Sequence, residues 1–201
     1  MLMYTFLGDN MLILTTGTVN SYKTDILNQT YTYNEGMKPI IYYPASCNKN
    51  KHTYIKPNNS VCKSVKVFNI DDLYNTFAEY NMVLIDEVQF ICTRQYISEF
   101  LDFLELCDNL GKTVHMFGLS LDYLGEPFEI ITRILPYMDK TNFYTTKCEC
   151  GRQANMNIRL INNEPDTNIN SDTLMLESDN ITYKAVCRDC FRKYTGLKAL
   201  K

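Results

Sequence analysis

An excess of basic charge is missing from this chain. Its 20 lysines and arginines against 23 aspartates and glutamates leave a net charge of −3, with a pI near 5.4. The electrostatic footprint that nucleic-acid binding requires is therefore absent. Also missing is an uninterrupted apolar run of membrane-spanning length. The stretch from Met1 to Thr16 is apolar but broken by Gly8-Asp9-Asn10, and it carries no basic n-region and no small-residue cleavage site. It reads as strands and not as a signal peptide. Histidine is scarce: His52 and His115 are the only two, and neither lies near another candidate ligand, so His-based catalysis has little support. No internal repeat or low-complexity tract is visible. These absences predict a soluble, cytoplasmic protein with neither a membrane nor a nucleic acid as partner.

What is present is ordinary in bulk. With 201 residues, 45% hydrophobic and 21% charged, the chain fits one medium domain or a domain with a small satellite. Eight cysteines suggest a disulfide scaffold at first sight, but their spacing argues otherwise. Cys47, Cys62, Cys92 and Cys107 are scattered, while Cys148-Glu149-Cys150 and Cys187-Arg188-Asp189-Cys190 form two tight pairs. Paired knuckles separated by an intervening segment are the pattern of a metal clip in a reducing compartment. Four thiolates make a closed tetrahedral zinc site, which a small lobe without a large core needs for stability.

Hydrophobic periodicity gives a coarse path. Met11 to Thr15 reads as a strand ending in a turn at Thr16-Gly17, with a helix opening from Lys23. Pro39 to Tyr43 and Val65 to Ile70 are further strands, and Asp71 or Asp72 caps the next helix. A buried strand follows at Val83. The spacing of Tyr96, Phe100, Phe103, Leu104 and Cys107 predicts a helix over 95–110, ended by Gly111. Thr113 to Leu119 is a strand, and 127–135 a last helix. The cysteine-rich remainder reads as small and irregular, with its loosest stretch at 162–180. Strands alternating with helices imply a parallel α/β sheet with right-handed crossovers. The expected division is an α/β domain over 1–143 and a zinc-binding lobe over 144–201.

Two segments carry chemistry. Val83-Leu84-Ile85-Asp86-Glu87 is an apolar run that delivers two acids to a strand end, which in α/β sheets faces the ligand crevice. One acid suits a magnesium-bound water and its neighbour a substrate proton; helix capping is the structural alternative. The turn Gly17-Thr18-Val19-Asn20-Ser21-Tyr22-Lys23-Thr24 matches a phosphate-cradling P-loop at Gly17, Lys23 and Thr24. Tyr22 stands where the second glycine belongs. If that position needs a positive φ, a bulky residue costs roughly 1–2 kcal/mol there or distorts the loop.

The order of the pieces is similar to that of the zinc-containing (type II) thymidine kinase family over nearly the full chain: P-loop, Ile-Asp-Glu-Val-Gln-Phe, Gly118-Leu-Ser-Leu-Asp-Tyr-Leu-Gly-Glu-Pro-Phe128, Cys-x-Cys-Gly, then Tyr-x-x-x-Cys-Arg-x-Cys. Cys-x-Cys-Gly-Arg followed by Arg159-Leu160 resembles members from enterobacteria and their phages. The resemblance implies a P-loop fold with a small zinc lobe carrying a lasso loop over 162–183. It implies ATP, magnesium and structural zinc as cofactors, thymidine or a related nucleoside as substrate, and a homotetramer. By position it assigns Gly17, Asn20, Ser21, Lys23, Thr24, Asp86 and Gln89 to ATP and magnesium, and Glu87 to general-base catalysis. Phe90, Leu119, Tyr123, Thr145 and Tyr183 go to the nucleoside, and Cys148, Cys150, Cys187 and Cys190 to zinc. Several positions depart from the family pattern. They are Tyr22, Ser120 (an aspartate in the family), Leu124 (an arginine), Cys47 and Lys49 (an acid and an arginine), and Ser178-Asp179 (paired glycines). Two readings follow: an ATP-dependent thymidine kinase, or an inactive homologue that binds a nucleoside or nucleotide.

Overall fold

The computed structural model describes residues 10–46, 54–173, 178 and 180–198. Cys47, Asn48, Lys49, His52 and Asp179 therefore lie outside the described residues. The main sheet has six strands in the order β3-β2-β4-β5-β1-β6. They are β1 (Leu12–Gly17), β2 (Pro39–Pro44), β3 (Ser64–Val67), β4 (Met82–Ile85), β5 (Thr113–Leu119) and β6 (Lys140–Tyr144). β2 runs parallel to β3 and β4, with Tyr42 opposite Ile85 in the latter pair, and β4 runs parallel to β5. Bonds along β1 climb in the same sense: Val114 N–H to Met11 and Ser120 N–H to Gly17 on one side, Asp139 N–H to Leu12 and Thr18 N–H to Tyr144 on the other. A parallel sheet covered on both faces needs near-continuous apolar strands. β4, Met-Val-Leu-Ile, is buried at all four positions.

Crossover helices are α1 (Lys23–Tyr33), α2 (Asp71–Thr76), α3 (Ile97–Asn109) and α4 (Glu129–Ile134). Neither Asp71 nor Asp72 caps α2 as expected: both lie in its first turn, and the N-cap position is Ile70, without a side-chain bond. Asn69 Oδ1 accepts the Asp71 N–H at 3.0 Å, while the Asp72 carboxylate reaches back to the N–H groups of Phe68 and Asn69 at 2.7 and 3.1 Å. α3 buries Phe100, Phe103, Leu104 and Cys107, as their spacing requires, whereas Tyr96 stays outside the helix and partly exposed. Phe103 packs edge-on against Phe77 of the α2 end.

The cysteine-rich remainder is regular, which corrects the expectation of an irregular lobe. An antiparallel sheet orders β8-β7-β9, with β7 (Met156–Ile161), β8 (Glu164–Pro165) and β9 (Ile181–Val186), and a fifth helix, α5 (Arg188–Thr195), follows. Met156, Ile158 and Leu160 alternate along β7 and fall in one apolar cluster with Ala154, Val186 and Phe191. The chain divides into two compact units. One comprises Met1–Thr15, Tyr22–Gly118 and Glu129–Asn142; the other comprises Thr16–Ser21, Leu119–Phe128 and Phe143–Lys201. In the first, Leu27, Tyr31, Ile41, Tyr43, Tyr54, Met82, Leu84 and Phe117 share a core.

Candidate functional site

In the first unit the functional groups gather where α1 begins and β4 ends. Lys23 and Thr24 open α1 and are half-buried. Burial pulls the Lys23 ammonium below its ordinary pKa, and Glu87 and then Asp86 push it back up. The cation therefore lies in the field of both carboxylates. Asp86 is buried; its Oδ1 accepts the Glu87 N–H and its Oδ2 the Tyr54 hydroxyl, each at 3.0 Å. A carboxylate is the ligand type that suits a hydrated divalent cation. Glu87 is half-buried and left-handed (φ 49°, ψ 44°). Buried Gln89 donates through Nε2 to Glu87 Oε2 at 2.5 Å. A side chain on Gly118 would strike the Gln89 amide and come within 2.9 Å of Val88 Cγ1. Only glycine lets β5 pass so close to this turn. Phe90 closes the turn, half-buried.

Tyr22 has φ 62° and ψ 21°, the backbone state a glycine would supply, and its side chain is 71% exposed. The turn keeps its curl and the ring points outward.

The second unit holds the rest of that turn. Gly17 has φ 153°, and a Cβ there would fall on the Tyr144 carbonyl. Thr18 N–H bonds that carbonyl, Val19 N–H bonds Asn157 Oδ1 at 2.9 Å, and buried Ser21 donates to Thr18 O at 2.8 Å. Asn20 is exposed with φ 55°. Asn157 also donates to Leu121 O at 2.8 Å, so one polar residue in an apolar strand ties two loops together.

Around β7 lies a buried ionic knot. Arg159 donates from Nε and Nη2 to Asp166 Oδ2 at 2.9 and 2.7 Å, with the two side chains 0% and 5% exposed. Its guanidinium sits 3.6 Å over the Tyr123 ring. The Tyr123 hydroxyl donates to Asn168 O and Ser171 O at 2.8 and 3.3 Å. Tyr123 is thus fully buried, Tyr183 half-buried on β9, and Leu119 half-buried at the end of β5. Half-buried Thr145 accepts from Gln153 Nε2 at 2.7 Å. Asp122 Oδ1 accepts the Leu124 and Glu126 N–H groups at 2.8 and 2.9 Å.

The four cysteine sulfurs of Cys148, Cys150, Cys187 and Cys190 all lie within 4.8 Å of one another, with Cys150 and Cys187 3.6 Å apart. A tetrahedral zinc with Zn–S bonds of about 2.3 Å places its sulfurs about 3.8 Å apart, so the cluster fits that ion. Cys187 immediately precedes α5 and Cys190 lies in its first turn, which is why the C-x-x-C spacing aims both thiols one way.

The structure thus brings Lys23, Asp86, Glu87 and Gln89 together in one unit, and Tyr123 and Tyr183 together around Arg159 in the other. Tyr54, Asn157 and Asp166 were not legible as site residues. Asn157 had a signal, a polar residue among buried apolar neighbours; Tyr54, in a stretch without periodicity, had none.

A thymidine kinase family profile matches residues 10–191. Proteins named thymidine kinase are similar along most of their length. The one from Blochmanniella floridana is 31% identical over 85% of this chain and 90% of its own. That from Vibrio vulnificus (strain YJ016) is 30% identical over 86% and 91%, and that from Mannheimia succiniciproducens 30% over 89% and 93%. Among solved structures, the flagellar accessory protein FlaH from Methanocaldococcus jannaschii shares the fold, with TM-score 0.50 and 12% identity, over 67% of this chain and 71% of that one. No described helix is long and apolar enough to cross a membrane. With an α/β sheet carrying adjacent acids beside a lysine, a four-cysteine cluster and relatives that match over most of their length, the chain belongs to the type II thymidine kinase family.

Proposed function

We propose that this protein transfers the γ-phosphoryl group of ATP to the 5′-hydroxyl of thymidine, giving the monophosphate. The observation that carries this reading is the meeting of Lys23 with Asp86 and Glu87 inside one unit. Phosphoryl transfer asks little covalent chemistry of a protein; alignment and charge neutralisation supply most of the rate. Lys23 offers positive charge to phosphate oxygens at the head of α1, where helix N–H groups favour anions. Gly17, Asn20 and Ser21 shape the turn before it. Thr24 and Asp86 are the residues that would hold magnesium, whose positive charge would offset the negative charge developing in the transfer. Glu87 takes the proton from the attacking hydroxyl. Gln89 holds one oxygen of that carboxylate, which fixes where the other points. Phe90, Leu119, Tyr123, Thr145 and Tyr183 are the side chains assigned to the nucleoside. Zinc on the four cysteines is structural, since four thiolates leave no open position. A homotetramer is the assembly this reading carries.

The test is direct. Purified protein with ATP, magnesium and thymidine yields thymidine monophosphate, and Glu87→Gln lowers the rate by 10²-fold or more, the order general-base catalysis contributes, with an unchanged melting temperature. A second reading, a nucleoside binder without catalysis, is favoured by Leu124. That residue is an apolar, 7% exposed side chain where the family motif carries a cation. If no product forms while a thymine nucleotide raises the melting temperature, the binder reading replaces the kinase.

A further inference from the structure

We infer that Arg159 is a positioning residue for nucleoside binding, fixing Tyr123, Tyr183 and the 166–172 segment as one block inside the second unit. The inference rests on the reading that these tyrosines and this loop receive the nucleoside. Its basis is the number of separate elements that one buried guanidinium holds. From β7, Arg159 grips Asp166 with two donors and gives Nη1 to the Asp172 carbonyl at 2.5 Å and to the Tyr183 hydroxyl at 3.4 Å. Its flat face covers the Tyr123 ring. Asp166 Oδ1 accepts the Asn168 N–H at 3.0 Å, and Tyr123 reaches the Asn168 and Ser171 carbonyls. The sheet register places Arg159 directly opposite Tyr183.

Burying an ion pair is an inefficient way to gain stability, because well-packed apolar side chains do as well or better. What a guanidinium adds is a rigid plane of donors with a fixed direction for each bond, together with a face that stacks on an aromatic ring. Here those directions run to two tyrosines and two points on a loop. A loop rich in asparagine, aspartate and serine has few apolar groups to hold it, so a polar anchor is what can set its position. Lysine cannot copy this: it is a point charge without the fork or the stack.

The experiment compares steady-state kinetics of the wild type, Arg159→Lys and Tyr123→Phe. Arg159→Lys is expected to raise KM for thymidine tenfold or more while KM for ATP stays within twofold. Tyr123→Phe keeps the ring but loses the bonds to Asn168 and Ser171, and raises KM for thymidine at least threefold with the same split. It decides the matter alone if Arg159→Lys does not fold. KM values for both substrates rising together, or neither rising, overturns the inference and assigns Arg159 to stability only. A wild type without turnover moves the readout to the thymidine-induced rise in melting temperature, which the variants must lose. A wild type that thymidine neither engages nor stabilises removes the nucleoside reading and this inference with it.

Discussion

Tyr22 and Glu87 are both left-handed residues without the glycine that usually tolerates such a backbone. Each stores strain of order 1–2 kcal/mol, and each stands at one of the two turns that carry the chemistry. For Tyr22 the exposed ring implies that the backbone geometry, and not the side chain, is what the turn retains. Tyr22→Gly is therefore expected to raise stability by about 0.5–1 kcal/mol, the relieved strain less the extra freedom of glycine in the unfolded chain. Equilibrium urea denaturation measures this. A loss of stability would mean that the ring makes a contact worth more than the strain. For Glu87 the bond from Gln89 and the close passage of Gly118 hold the strained residue in place. The Gly118 motif and the adjacent acids were legible in the sequence. The hydrogen bond between Gln89 and Glu87 was not, because a left-handed turn has no signature in residue type when the residue is a glutamate.

Elements explain a pH dependence that single residues do not. His115 lies on β5, wholly buried, 2.8 Å from the Thr15 hydroxyl of β1 and stacked on Phe117 at 4.1 Å. Burial holds its pKa down to about 3, with Lys140 adding to the effect. The unfolded chain takes up the proton near the ordinary value of about 6.5, so protonation favours unfolding. The contribution of neutral His115 is complete above that value and is lost as pH falls toward 3. Linkage gives a loss of about 2 kcal/mol by pH 5. In urea titrations at pH 7 and pH 5, His115→Gln should show a smaller drop than the wild type; equal drops would place the acid sensitivity elsewhere. The same scale shows where periodicity sufficed. β4, β5 and α3 emerge from their apolar spacing because each buries a stripe or a whole strand. β6, with its half-exposed alternation, and β8, two residues long, bury too little to leave a pattern.

At the scale of the molecule, the two units differ in how they are held. The first has a long, continuous apolar core beneath a six-stranded sheet. The second has a small cluster of which Cys148 and Cys187 are themselves members, so its core and its four-cysteine cluster are the same structure. Cysteine zinc sites of this kind contribute on the order of 10 kcal/mol to folding small lobes. Metal analysis is accordingly expected to find one zinc per chain, and a strong chelator to lower the melting temperature and expose the four thiols to a colorimetric reagent. Unchanged stability after the zinc has been stripped would refute a structural role.

Residue order alone determined the class of fold, the pairing of the cysteines, the lysine at the first turn and the adjacent acids. Each of these is a local pattern: a period, a spacing, or a change from apolar to charged at a strand end. Only the tertiary structure decided that Tyr22 points outward, that Tyr54 holds Asp86, and that Arg159, Asp166 and Tyr123 close into one buried knot. Those contacts join residues 32, 7 and 36 positions apart. Polar groups that leave water together must find partners in one another, a condition no stretch of sequence contains until the chain has folded.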